Sequence, residues 1–177
     1  MDDDPIGNSA APDFSDFAVS TQGRLLHFAD LLCGDRGRAE DLVQGALVKV
    51  YLAWSKLGSG NPEAYARAII AHAHIDWWRR KPSREIVSSS PPTFDVAAGD
   101  FAADVVARDA VLRALSVLTK RERTVIVLRY FYDLSEADIA REIGCATGTV
   151  KSAASRALTK LKANAHMTPE VAHHGGK

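Results

Sequence analysis

The stretch LSEADIAREIGCATGTVKSAASRALTKL, Leu134 to Leu161, decides how the chain is read. Ser135 suits an N-cap, and Asp138 three residues later makes a near-capping box. Leu134, Ile139, Ala140 and Ile143 supply the apolar side of a first helix. Gly144 stops it, since glycine takes the left-handed conformation that the position after a helix end requires. Thr147 offers a second N-cap. Val150, Ala154, Ala157, Leu158 and Leu161 then recur on one face of a second helix. Its other face carries Thr149, Lys151, Ser152, Ser155, Arg156 and Lys160, and no acid occurs between Gly144 and Leu161. Small Ala140, a glycine corner and an apolar anchor at Val150 are what a helix-turn-helix needs. A basic, hydroxyl-bearing outer face suits a DNA major groove. A plain αα-hairpin that only packs would leave the charge asymmetry without a reason.

Outward from this stretch, 177 residues admit one domain or two small ones. The 22 Lys and Arg balance the 22 Asp and Glu, so net charge alone gives no nucleic-acid signal. The distribution does. Asp2, Asp3, Asp4, Asp13 and Asp16 make the N-terminus acidic, while Arg79, Arg80, Lys81 and Arg84 form one basic cluster and the final helix another. Cys33 and Cys145 form no CxxC motif, and residues 1–12 are acidic and polar rather than a leader. A reducing cytoplasm is expected. No apolar run approaches the roughly 20 residues of a membrane span.

Residues 1–12 are expected to be disordered. Phe14, Phe17, Ala18, Leu25, Phe28, Ala29 and Leu32 recur at helical spacing until Gly34. Arg38 to Ser55 reads as a helix with Val43, Ala46, Leu47, Val50 and Trp54 on one face. Asp41, Gln44, Val48 and Leu52 lie within about 80° of one another on another side. They form either a partner surface or the second buried side of a doubly packed helix. Lys56–Asn61 is a loop, and Pro62 suits the first turn of a helix running to about Lys81. Trp77 and Trp78 beside Arg79, Arg80 and Lys81 match single-stranded DNA binding, in which bases stack on rings and cations follow phosphates. One Trp is expected to be core. His72 and His74 stand about 200° apart on a helix and cannot share an ion. His72 with Asp76 lacks a third ligand, so no metal or cofactor is expected. Residues 82–104, rich in Ser and Pro, read as a linker. Val105 to Leu118 is amphipathic, and Thr119 with Glu122 forms a capping box for the helix holding Val125, Ile126 and Leu128. Residues 164–177 read as a mobile tail. The expected fold is all-α: two small helical domains, 13–81 and 105–163, joined by a flexible linker, the C-terminal one a helix-turn-helix.

Three stretches together resemble a known family. AEDLVQGALVKVYLAW (Ala39–Trp54) resembles the core-polymerase-binding region of bacterial sigma factors. NPEAYARAIIAHAHIDWWRRK (Asn61–Lys81) resembles their promoter-melting, −10-recognising helix. LTKRERTVIVLRYFYDLSEADIAREIGCATGTVKSAASRALTKLK (Leu118–Lys162) resembles the domain that reads the −35 element. Order and size are similar to the extracytoplasmic-function (ECF) type, and most similar to its actinobacterial sigma-E-like members. The resemblance implies a transcription initiation factor that binds core RNA polymerase and promoter DNA and stabilises the melted strand. It involves no enzyme activity, membrane or small-molecule substrate, and it admits an anti-sigma protein as a further partner. Asp41, Gln44, Val48 and Leu52 would face polymerase. Gly58, Ser59, Gly60 and Asn61 would hold an everted −10 base, with His72, Asp76, Trp77, Arg79 and Arg80 along the strand. Thr149, Lys151, Ser152, Ser155 and Arg156 would meet −35 DNA. His72 stands where many relatives carry Asn, and Thr119 replaces a common Pro. Ala153 stands where relatives often carry Arg or Gln, which implies one missing DNA contact.

Two other classes compete. A stand-alone dimeric helix-turn-helix regulator would leave the Asp41–Val48 face and the Trp/Arg helix without purpose. An enzyme using His72, Asp76 and a cysteine is disfavoured by the helical geometry.

Overall fold

The computed structural model describes residues 13–57, 60–76 and 101–167. Within them lie α1 (Phe14–Cys33), α2 (Arg36–Leu57), α3 (Pro62–Asp76), α4 (Phe101–Ser116), α5 (Lys120–Tyr130), α6 (Glu136–Glu142) and α7 (Thr147–Met167). No strand occurs among the described residues, as an all-α chain requires. The expected tail overlaps the last turn of α7, because no Gly or Pro interrupts Ala163–Met167. Likewise α4 starts four residues before Val105, where Ala102 and Ala103 favour the helix. The expected disordered N-terminus and most of the linker lie outside the described residues.

Helices α1 to α3 pack through positions three or four apart. Phe17, Thr21, Leu25, Phe28 and Leu32 of α1 are buried with Ala39, Val43, Ala46 and Val50 of α2 and Ala66 and Ile70 of α3. Gly34 ends α1 at φ 68°, its N–H donating to the Asp30 carbonyl. The Asp35 carboxylate accepts the Arg38 N–H at 2.7 Å and caps α2. Phe14, Phe17, Tyr51 and Trp54 close one end of the bundle, with ring centroids 5.1–6.3 Å apart.

The second group is built around its caps. Thr119 Oγ1 accepts the Glu122 N–H at 3.4 Å, and Glu122 Oε2 accepts the Thr119 N–H at 2.9 Å. This is the expected capping box. Ser135 Oγ accepts the Asp138 N–H and donates to the Asp138 carboxylate. Gly144 has φ 64°, and the Cys145 N–H donates to the Ala140 carbonyl at 2.9 Å. That is a Schellman ending, which brings the chain sharply round to α7. The expected Thr147 cap falls one residue late. Thr147 is already helical, and the Ala146 carbonyl accepts from the Val150 N–H, so no side-chain oxygen sits at that cap position.

The two groups share one core. Thr124, Val125, Ile126, Val127 and Leu128 of α5 are all buried. Five consecutive positions cannot fit on one helical face. Helix α5 therefore packs on α7 on one side and on α1 and α3 on the other. Around this junction the contacts turn polar. Arg67 makes a two-pronged pair with Glu142, both arms 3.0 Å. Arg108 does the same with Asp30, at 2.8 and 2.7 Å. Arg123 Nε donates to the Leu31 carbonyl at 2.7 Å, at the negative end of α1. The Tyr132 hydroxyl donates to the Arg24 carbonyl. Its ring meets Phe28 edge-on at 5.3 Å and lies 5.2 Å under the Arg67 guanidinium.

His74 is buried at the same junction, its Nδ1 3.8 Å from Cys33 Sγ. Burial, then the charges of Lys120, Arg38 and Arg123, hold its pKa down to about 3. Burial pushes the Cys33 thiol up to about 11, so it is neutral at physiological pH.

Two outcomes are expected. Thr119→Ala removes an N-cap acceptor and should cost about 1 kcal/mol in denaturant unfolding. The folded state keeps His74 neutral, whereas the unfolded ring takes up a proton below its ordinary value of 6.5. Stability should therefore fall as pH drops from about 6.5 toward 3 and then level off. The slope is at most about 1.4 kcal/mol per pH unit. Thermal melting between about pH 5 and 7 should lose that component in His74→Leu.

Candidate functional site

The structure decides between the two readings of α2. Asp41 and Gln44 are exposed, and Val48 and Leu52 are 58% and 72% exposed. The face is open and not a second buried side. Tyr51, 62% exposed, extends the patch and was not among the expected residues. Its signal was available: it lies three positions beyond Val48, and its ring is steadied edge-on by Phe14 at 5.1 Å.

A second surface lies where α3 begins. A Cβ at Gly60 would fall 2.8 Å from the Leu57 carbonyl oxygen, so this tight approach admits only glycine. Asn61 has a structural role: its Oδ1 accepts the Ala64 N–H at 2.9 Å and caps α3. Beside it opens a cleft of about 440 Å³ between α1 and the start of α3, lined in part by Asp16, Phe17, Arg24, Asn61 and Glu63. Arg24 forms a two-pronged pair with Glu63 across it, at 3.0 and 2.9 Å. The Arg24 bond and its charge outweigh burial and hold the Glu63 carboxyl below its ordinary value. Further along α3, His72 and Asp76 are exposed. Gly58, Ser59, Trp77, Arg79 and Arg80 lie outside the described residues, as does Trp78 with its expected core role.

The third surface is the outer face of α7. Lys151, Ser152, Ser155 and Arg156 are exposed and Thr149 is half-buried. Ser152 Oγ donates to the Gly148 carbonyl at 2.8 Å, which fixes its rotamer while its lone pairs stay open. The basic face is not uncompensated, as α7 alone suggests, because other helices bring acids to it. Glu136 lies 3.9 Å from Lys151. Glu122, nearly buried, lies 2.7 Å from Lys160 and 3.4 Å from Arg156. Burial alone would push the Glu122 carboxyl up. The Lys160 bond and the Thr119 donors prevail and bring it down to about 2. Glu122 was legible only as a capping partner, since its bond to α7 spans 38 residues.

Ala153 corrects an expectation. It is fully buried, so this position offers no missing groove contact. Its methyl group belongs to the packed face of α7 with Val150, Ala154 and Ala157.

An all-α chain with a DNA-sized helix-turn-helix, a second bundle with an exposed apolar-and-acidic helix face, and a polar cleft beside it belongs to the multi-surface DNA-binding transcription proteins. Comparison with known proteins narrows the class. The sigma-70 region 2 family model matches residues 18–84, and that of sigma-70 region 4 matches residues 108–161. The RNA polymerase sigma-E factor of Streptomyces avermitilis is 31% identical over 151 residues, covering 85% of this chain and 83% of that one. The ECF sigma factor SigL of Mycobacterium tuberculosis is 30% identical, covering 78% and 80%. The Bartonella quintana sigma factor RpoE, solved in complex with the anti-sigma factor NepR, superposes with a TM-score of 0.62 at 25% identity, over 89% of this chain and 99% of that one. The chain belongs to the sigma-70 family of RNA polymerase sigma factors, of the ECF type.

Ala153→Arg, which would restore the residue common among relatives, should destabilise by about 1–3 kcal/mol through overpacking. Equilibrium unfolding checks this, and the variant should not bind duplex DNA more tightly.

Proposed function

We propose that the three surfaces divide the work of a transcription initiation factor that binds core RNA polymerase and directs it to promoters. The open face of α2, Asp41, Gln44, Val48 and Leu52 with Tyr51 added, docks on core polymerase. The single observation that carries this reading is that Val48 and Leu52 stay in water although α2 has a full apolar face in the core. Exposed apolar residues flanked by an acid and an amide suit a protein partner.

The loop at residues 58–61 and the cleft beside Asn61 hold an everted −10 base. His72, Asp76, Trp77, Arg79 and Arg80 follow the melted strand. Thr149, Lys151, Ser152, Ser155 and Arg156 meet the −35 duplex, the hydroxyls and cations contacting phosphates and base edges. Arg156 reaches DNA by exchanging its Glu122 partner for phosphate, a small cost for an exposed pair. Residues 13–81 and 105–163 are the two functional modules, the second extended at its start by the first turn of α4. Each binds weakly alone. Tethering both to one polymerase raises the effective concentration of the second contact.

The work is binding and not catalysis, and its place is the cytoplasm, where polymerase and promoter are. No described helix is long and apolar enough to cross a membrane. An anti-sigma protein is a candidate partner, on the precedent of the Bartonella sigma factor.

Asp41→Ala combined with Leu52→Lys should reduce promoter-dependent transcription with sigma-free core polymerase at least about tenfold, the effect of roughly 1.4 kcal/mol of lost docking energy. Binding of the same variant to a −35 duplex should not change. Undiminished transcription would reject α2 as the docking face.

A further inference from the structure

We infer, resting on the reading of α7 as the helix that meets −35 DNA, that Glu122 is a specificity-determining residue. Standing on α5 and touching no base, it withholds the C-terminal cations of α7 from indiscriminate phosphate binding. Base reading is left to the N-terminal half of the helix.

The need arises from the sequence of α7. Between Gly144 and Leu161 stand Lys151, Arg156 and Lys160 and no acid. A cation on a phosphate binds every duplex alike, because phosphates carry no sequence information. A recognition helix reads base edges mainly through its N-terminal residues. Helix α7 starts at Thr147, so Lys160 lies about 20 Å further along the axis at roughly 1.5 Å per residue. So far from the reading end, a free Lys160 adds attraction and no discrimination. In a specific complex, base contacts fix the helix in the groove. In a non-specific complex nothing fixes it, and a free Lys160 could draw the C-terminal half onto any backbone. Holding Lys160 therefore weakens non-specific binding more than specific binding.

The structure grades the three cations by how firmly an acid holds them. Lys160 Nζ donates to Glu122 Oε2 at 2.7 Å. Arg156 Nε lies 3.4 Å from Glu122 Oε1. Lys151 Nζ lies 3.9 Å from Glu136, whose other carboxylate oxygen takes Arg129 at 2.6 Å. The hold tightens from the N-terminal to the C-terminal half of α7. Glu122 suits this role because it is pinned. Its side chain is 4% exposed, and the Thr119 N–H donates to the same Oε2 at 2.9 Å. A surface acid on a free side chain would swing away as a phosphate approached. When Arg156 exchanges Glu122 for phosphate, Lys160 still neutralises the carboxylate, so a nearly buried charge is not left alone.

The test variant is Glu122→Gln in the full chain. Its amide oxygen still accepts the Thr119 N–H and keeps the capping box, while the charge is lost. The wild-type chain selects a duplex from a random pool. Binding of the selected duplex and of a scrambled one is then titrated between about 50 and 200 mM salt. Glu122→Gln should bind the scrambled duplex severalfold more tightly at low salt. Its slope of log affinity against log salt should steepen by about 0.9, the value of one further phosphate contact. Affinity for the selected duplex should rise less, so discrimination falls. Adding Lys160→Met should return the slope to the wild-type value. A merely structural role would move the unfolding midpoint and not the slope. A folded Glu122→Gln with the wild-type slope and discrimination overturns the assignment, and so does a double variant that keeps the steeper slope. Should Glu122→Gln lose its helical circular dichroism, the lysine ammonium resonances of the wild type decide, assigned with Lys160→Arg. On addition of scrambled duplex the Lys151 signal should shift and that of Lys160 should stay, and a Lys160 signal that moves with it overturns the assignment. If no duplex is selected while the slope still steepens in Glu122→Gln, the −35 reading fails and the hold of Glu122 on the cations stands. Selection of a duplex with an unmoved slope does the reverse.

Discussion

The middle of helix α5 has no outside. Thr124 to Leu128 are buried in succession, so the helix needs neighbours on every side, and the rest of the molecule is arranged to supply them. Helix α7 covers one flank, and α1 and α3 cover the other. Its start is fixed by the Thr119–Glu122 box, and the same Glu122 carboxylate anchors Lys160 of α7. One acid therefore sets both where α5 begins and how the last helix lies on it. Loss of this arrangement would disconnect the helix-turn-helix from its support before any DNA contact was touched.

Local chemistry made most of the helices legible. Gly34, Gly144, Ser135, Thr119 and Pro62 each act within a few residues of their own position, and each ends or starts a helix where a sequence reading puts it. The Thr147 cap was misplaced by one residue because Ala146 and Thr147 differ only in which carbonyl begins the ladder. Contacts between distant residues were not legible. Periodicity could show that Val125, Ile126 and Leu128 were apolar, but not that a second bundle would cover their far side. The pairs Arg67–Glu142 and Asp30–Arg108 span 75 and 78 residues. Nothing local marks an arginine that will meet an acid so far along the chain. Ala153 is a different case. Helical phase alone sets it within about 60° of Val150 and Ala157, on the buried face, and about 200° from Lys151, so its burial was legible and the missing contact came only from the family resemblance.

The same physical rule explains the contrast between α2 and α5. Both carry more apolar residues than one face can hold. In α5 the surplus meets another helix and is buried. In α2 the surplus, Val48 and Leu52 with Tyr51 beside them, is left largely in water, only the Tyr51 ring touching Phe14 of α1. Burying a side chain of that size is worth about 1.5–3 kcal/mol, so the fold forgoes a sizeable stabilisation there. The forgone energy is available to whatever covers the face.

The order of the helices also matters while the chain is being made. The face of α1 and α3 that carries Phe28 and Arg67 is complete once residue 76 has been added, but Tyr132 and Glu142 come more than fifty residues later. At a synthesis rate of roughly 5–20 residues per second, that face waits about 3–13 seconds for its cover. During this interval the first bundle must stand on its own core, Phe17 to Leu32 against Val43 to Val50 and Ile70. The polar rim of the shared surface then has a further use: a half-made chain presents arginine and aspartate to its surroundings, where a purely greasy surface would invite aggregation.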